Sequence, residues 1–126
     1  YAPDQIKQFH KPDERIFVQG WAENADDKIK NARVMLAPLR FGAGLKGKLI
    51  QSMQCGTPSV TTSVGTEGIN SGLPWSGYVE DDAESFATNT IDLYVNQTHW
   101  QQSQSNGFEI LSRRFNSLSF TSCFLN

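Results

Sequence analysis

Long apolar runs are missing from these 126 residues, and so is an excess of either charge. No stretch approaches the roughly 20 apolar residues that cross a bilayer, and no signal-peptide pattern opens the chain. A net charge of −2 argues against a nucleic-acid binder, which needs a basic face. Cysteine is scarce: Cys55 and Cys123 stand alone, without metal-ligand spacing, and read as reduced thiols of a cytoplasmic protein. The two histidines, His10 and His99, have no ligand set nearby and read as structural or solvent-exposed. No metal is implied. What remains is 38% hydrophobic and 19% charged, the composition of one folded domain with one core. Tyr1 in place of methionine suggests an excised segment or a processed start.

Charge is informative through its placement. Nine of the eleven Lys and Arg residues lie at or before Lys48, and only Arg113 and Arg114 follow. Scattered lysines such as Lys7, Lys11, Lys28 and Lys30 are read as a solvated face. Arg40, Lys46 and Lys48 instead crowd one turn, Arg40-Phe-Gly-Ala-Gly-Leu-Lys-Gly-Lys48. Before it, residues 34–39 form a short apolar run of the kind buried in a parallel sheet. After it, Leu45, Leu49 and Met53 recur at helical spacing, and Gly56 and Pro58 close that helix. A glycine loop between a strand and a helix start exposes backbone N–H groups, and the helix dipole favours negative charge there. Gly42, Ala43, Gly44 and Leu45 would supply those N–H groups to a phosphate-bearing ligand, with Arg40, Lys46 and Lys48 as counter-charges. The alternative is a tight turn that binds nothing, because such turns need glycine for backbone reasons.

Alternating elements run along the rest of the chain. Strands are expected at 16–18, 34–39, 58–62 and 78–79. Helices are expected from a cap at Asp26, over 45–55, from a cap at Asp82, and from a cap at Thr98. The helix after Asp82 would bury Phe86, Ala87, Thr90, Ile91 and Tyr94. The last helix would present Trp100, Ile110, Leu111 and Phe115. Residues 65–77 read as loop, with Trp75 exposed in it. Strands alternating with helices imply a parallel sheet with right-handed crossovers, an α/β Rossmann-like fold over residues 1–126 as a single domain.

The longer pattern carries a family resemblance. Ala37-Pro-Leu-Arg-Phe-Gly-Ala-Gly-Leu-Lys-Gly-Lys-Leu-Ile50, then Met53, Cys55-Gly-Thr-Pro58, Val60-Thr-Thr62 and Gly65-Thr-Glu-Gly-Ile69 resemble the C-terminal, nucleotide-sugar donor-binding domain of GT-B glycosyltransferases, in the family-4-like group 1 branch. Phe17-Val-Gln-Gly-Trp21 and Val79-Glu-Asp-Asp82 with Ser85-Phe-Ala87 are similar to flanking parts of that domain. The resemblance implies a partial GT-B C-terminal domain, lacking its first strand and helix and an N-terminal acceptor domain. It implies transfer of a sugar from a nucleoside diphosphate sugar to an unknown acceptor, leaning to retention, with no cofactor beyond that substrate. Catalytic residues cannot be assigned from it.

Such enzymes commonly carry a spaced pair of glutamates, the second on the nucleotide ribose. Ungapped alignment puts those positions at Ala43 and Gln51, so both carboxylates are absent. Gln51 can still hydrogen-bond a ribose or sugar hydroxyl, without charge. Glu67 matches a recurring acidic position that reaches sugar or nucleotide, or is simply a turn residue between glycines. The runner-up reading is a non-catalytic nucleotide-binding or interaction module derived from such an enzyme. A cytoplasmic location follows, with any membrane association made through a parent protein. A chain lacking covering elements, with an unpartnered last helix, is expected to form a homodimer, for which exchange of that helix is a low-cost route.

Overall fold

The computed structural model describes residues 8, 10–15, 25–40 and 46–115. The strand expected at 16–18 and the glycine loop at 41–45 lie outside the described residues. Three strands, β1 (Met35–Ala37), β2 (Ser59–Thr61) and β3 (Gly77–Val79), form a parallel sheet in that order. Leu36, Val60 and Tyr78 are cross-strand partners on one face of it, and Ala37, Thr61 and Val79 on the other. Helices α1 (Ala25–Asn31), α2 (Lys46–Gln54), α3 (Ser63–Thr66), α4 (Ala83–Val95) and α5 (Gln97–Arg114) surround it, after a 3-10 turn at Pro12–Glu14. Parallel order with helical crossovers is the expected Rossmann-like α/β arrangement.

The core forms where α2 and α5 meet one face of the sheet. Leu49 and Met53 of α2, Ile110 and Leu111 of α5, Ala37, Ile69 and Trp75 make one buried cluster. The approach is close because α5 carries a glycine: a Cβ at Gly107 would lie 3.0 Å from the Ser76 Cβ and 3.4 Å from the Met53 Cγ. Several buried polar groups in this region pair with nearby carbonyls, although the Ser76 hydroxyl has no partner among the described residues. Ser52 Oγ donates to the Thr57 carbonyl at 2.6 Å and Thr61 Oγ1 to the Ala37 carbonyl at 2.9 Å. From α5, the Gln104 amide donates to the Gly56 carbonyl at 2.9 Å and the Asn106 amide to the Trp75 carbonyl at 3.0 Å.

Several expectations are corrected. Residues 67–76 are the expected loop, between α3 and β3, but the loop is packed inward: Ile69 is 3% exposed, and Trp75 is 6% exposed rather than solvated. The indole satisfies its N–H through Ser59 Oγ at 3.2 Å, which is how a polar-tipped ring enters a core. Helix α4 buries Leu93, while Ile91 and Tyr94 are exposed, so its inward face is rotated from the expected one. The cap of α5 is Asn96, whose side chain accepts from the His99 N–H at 3.0 Å; Thr98 lies inside the helix. Asp26 is likewise inside the first turn of α1. The last helix is not without a partner: Ile110 and Leu111 of α5 are buried in the core of this chain. Cys55 is disulfide-bonded, not a free thiol. Spacing along the chain excludes a short metal motif but does not report proximity in space.

The opposite face is tied by polar contacts. Tyr78 of β3 donates to Asp92 Oδ2 of α4 at 2.5 Å, and His99 Nδ1 of α5 lies 2.6 Å from the same oxygen. The bond to Asp92, then burial, pushes the Tyr78 hydroxyl up to about 12. The Tyr78 hydroxyl first, and then His99, hold Asp92 below the usual carboxylate range. A folded-state value above the unfolded one means that the Tyr78 contribution is complete below pH 10 and is lost as pH rises to about 12. Denaturation at stepped pH should therefore show the stability advantage of the wild type over Tyr78→Phe fading across that interval. An advantage that is flat through it would contradict the assignment.

Candidate functional site

Parallel strands all end on the same edge, and an open α/β sheet binds ligands beyond that carboxyl edge. Here the edge is concave. A cleft of about 540 Å³ is lined by Pro38, Leu39 and Arg40 after β1, Thr62 and Val64 after β2, and Glu80, Asp81 and Asp82 after β3, with Ala83 and Phe86 of α4. Its rims are pinned by the strand ends. Thr62 Oγ1 donates to the Leu39 carbonyl at 2.5 Å, and the Glu80 N–H to the Thr61 carbonyl at 2.8 Å.

The charges divide across the cleft. Arg40 stands at the β1 end, exposed and without an ion-pair partner among the described residues. Three carboxylates stand in a row at the β3 end, and two have structural duties. Asp81 accepts from the Ser63 N–H at 2.9 Å, at the start of α3, and that bond holds its carboxyl below the usual range. Asp82 accepts from the Ser85 N–H at 2.9 Å, capping α4 as the sequence leads one to expect. The Glu80 carboxylate has no partner among the described residues.

Of the described residues assigned to the site from the sequence, only Arg40 lines this cleft. Gly42, Ala43, Gly44 and Leu45 lie outside the described residues. Lys46 opens α2, but its ammonium donates to the Glu67 carbonyl at 3.0 Å and lies 3.8 Å from the Glu67 carboxylate. Lys46 and Glu67 are thus brought together, and an arriving anion would compete with Glu67 for Lys46. Lys48 is exposed. Gln51 faces α1, where its amide donates to the Asp26 carboxylate. That leaves the Gln51 side chain one amide N–H and its carbonyl oxygen as neutral groups for any further hydrogen bond. Thr62, Glu80 and Phe86 stand in the segments that carry the family resemblance but have no site role there, and Val64 lies outside them. The signal for them was available in the residues that immediately follow each expected strand.

Among the described residues no group of three or more His, Cys, Asp and Glu is placed to hold a metal. No helix there is long and apolar enough to cross a membrane. A parallel α/β layer with a polar cleft beyond its carboxyl edge defines the Rossmann-like class of ligand-binding domains. Within that class the chain belongs to the family described as glycosyl transferases group 1, which matches residues 1–96. It is a GT-B-type glycosyltransferase domain. Comparison with curated proteins and with solved structures gives no match.

Proposed function

We propose that this chain is the donor-binding part of a glycosyltransferase, taking a nucleoside diphosphate sugar and passing the sugar, with retention, to an acceptor. The observation that supports this most directly is the position of Arg40. It is a cation without an ion-pair partner among the described residues, at the carboxyl edge of a parallel sheet and in a cleft large enough for a small ligand. In sugar transfer from such a donor, negative charge grows on the departing diphosphate and must be met by fixed donors. Arg40 supplies one, Lys48 and the backbone N–H groups of 42–45 further ones. Lys46 joins them once the diphosphate displaces Glu67. No metal is called for in this scheme, since cationic side chains carry the counter-charge.

The second reading, a nucleotide-binding module without catalysis, draws on Gln51, whose amide is held by Asp26 and which offers no charge to a ribose. A pair of measurements on this polypeptide tests the donor-half reading, and a third, on a longer polypeptide, separates it from the module. Calorimetric titration with UDP, GDP and ADP should show weak binding of at least one. An assay of sugar transfer should show none, because the acceptor half implied by the GT-B arrangement is not contained in these residues. Transfer by this polypeptide alone would overturn the donor-half reading. Binding by a longer polypeptide that includes an acceptor domain, with no transfer, would favour the module.

A further inference from the structure

Three carboxylates follow β3, and the structure distinguishes them by what they already do. Asp81 is engaged by the Ser63 N–H and Asp82 by the Ser85 N–H, each at 2.9 Å. Glu80 is half-buried, lines the cleft, and makes no side-chain pairing with a described residue. Its backbone is nonetheless fixed, since its N–H extends the parallel ladder to the Thr61 carbonyl. A carboxylate held on a rigid strand end, in a concavity, with both oxygens unused, is an acceptor awaiting donors.

The chemistry of those donors follows from the rest of the cleft. An anion is repelled by the run Glu80-Asp81-Asp82 and drawn to Arg40 at the opposite end. Parallel neighbours lie about 4.8 Å apart, so the ends of β1 and β3 are separated by about 10 Å. That is the scale of a diphosphate together with one adjoining sugar ring. Val64 and Phe86 add apolar surface to the cleft lining, suited to the carbon face of such a ring. A carboxylate beside a sugar ring accepts from two neighbouring hydroxyls at once, and a charged acceptor makes the stronger bonds.

We infer that Glu80 is the diol-binding residue of this cleft, accepting hydrogen bonds from a vicinal pair of hydroxyls on the ligand whose phosphates face Arg40. This rests on the donor-binding reading and adds to it a role that neither Gln51 nor Glu67 fills. Gln51 keeps its amide on Asp26, and Glu67 stands against Lys46 away from the cleft lining. The diol belongs either to the nucleotide ribose or to the transferred hexose.

Calorimetry on the wild type, Glu80→Gln and Glu80→Asp separates these cases. The probes are UDP, GDP and ADP, their 2′-deoxy counterparts, and UDP-glucose, GDP-mannose and ADP-glucose. Both variants should keep the wild-type thermal midpoint, because the Glu80 carboxylate holds nothing in the fold. Glu80→Gln should weaken the diol-bearing ligand about tenfold, the difference between charged and neutral acceptors. Loss of that tenfold effect with the 2′-deoxy nucleotide assigns the diol to ribose; its appearance only with the sugar conjugates assigns it to the hexose. Unchanged affinity of both variants across the whole set overturns the inference and leaves the donor-binding reading intact. Failure of every probe to bind the wild type overturns both.

Discussion

Gly77→Ala should cost this domain about 3 kcal/mol or more of stability and lower its thermal midpoint by about 10 °C. Gly77 opens β3 at φ 148, a backbone conformation that L side chains rarely adopt. There is also no room: a Cβ at that position would overlap the Ser59 carbonyl of the neighbouring strand. Backbone cannot rotate aside as a side chain can, so the substitution must separate β2 from β3 or distort both. The consequence reaches the cleft, because Val79 and Glu80 are carried by the same strand. Urea titration of the variant against the wild type measures the effect. A loss under about 1 kcal/mol would show that the strand relocates cheaply. For comparison, Gly72, at φ 86 with nothing within 4 Å of its Cβ position, is strained but uncrowded, and Gly72→Ala should cost less.

Arg40→Ala should weaken nucleoside diphosphate binding by roughly ten- to a hundredfold, the value of a hydrogen bond to a charged partner. The guanidinium has no partner among the described residues to relieve, so its removal leaves folding stability near the wild-type value. Lys46→Ala should lose less, because in the free protein Lys46 already pairs with Glu67 and the ligand gains only the difference. Calorimetry with the nucleotide that binds best gives both numbers. Equal affinities for Arg40→Ala and the wild type would remove Arg40 from the phosphate site and with it the main support for the proposed donor cleft.

The fold was largely legible because its signals are local. The apolar run at 34–39, which yields the shorter β1 (Met35–Ala37), the spacing of Leu49 and Met53, and the Gly56–Pro58 stop each act within a few residues, and each gives the expected kind of element. Asp82 as a helix cap is a four-residue pattern and was equally readable. Errors arose where a residue's fate depends on a distant partner. Trp75 looks solvent-exposed among Leu73, Pro74 and Ser76, yet Ser59 and the α5 amide of Asn106 draw that segment inward. Helix α4 offers two faces of similar hydrophobicity, and only its packing on β2 and β3 selects Leu93 over Ile91 and Tyr94.

The site divides in the same way. The family and the parallel α/β class are determined by the sequence alone, since the pattern from Ala37 to Ile69 needs no coordinates to be recognised. Arg40 at a strand end was also determined there, because strand ends follow from strand positions. Which of the remaining polar residues meet Arg40 was decided by the tertiary structure. Parallel register sets Glu80 beside Thr61 and so at the cleft, while the helix-to-helix contact with Asp26 turns Gln51 to the flank. Asp81 and Asp82 are consumed as caps and Glu80 is left over, although the three stand consecutively in the chain. Sequence adjacency fixes neither the direction of a side chain nor the donor it meets; packing of the elements does both.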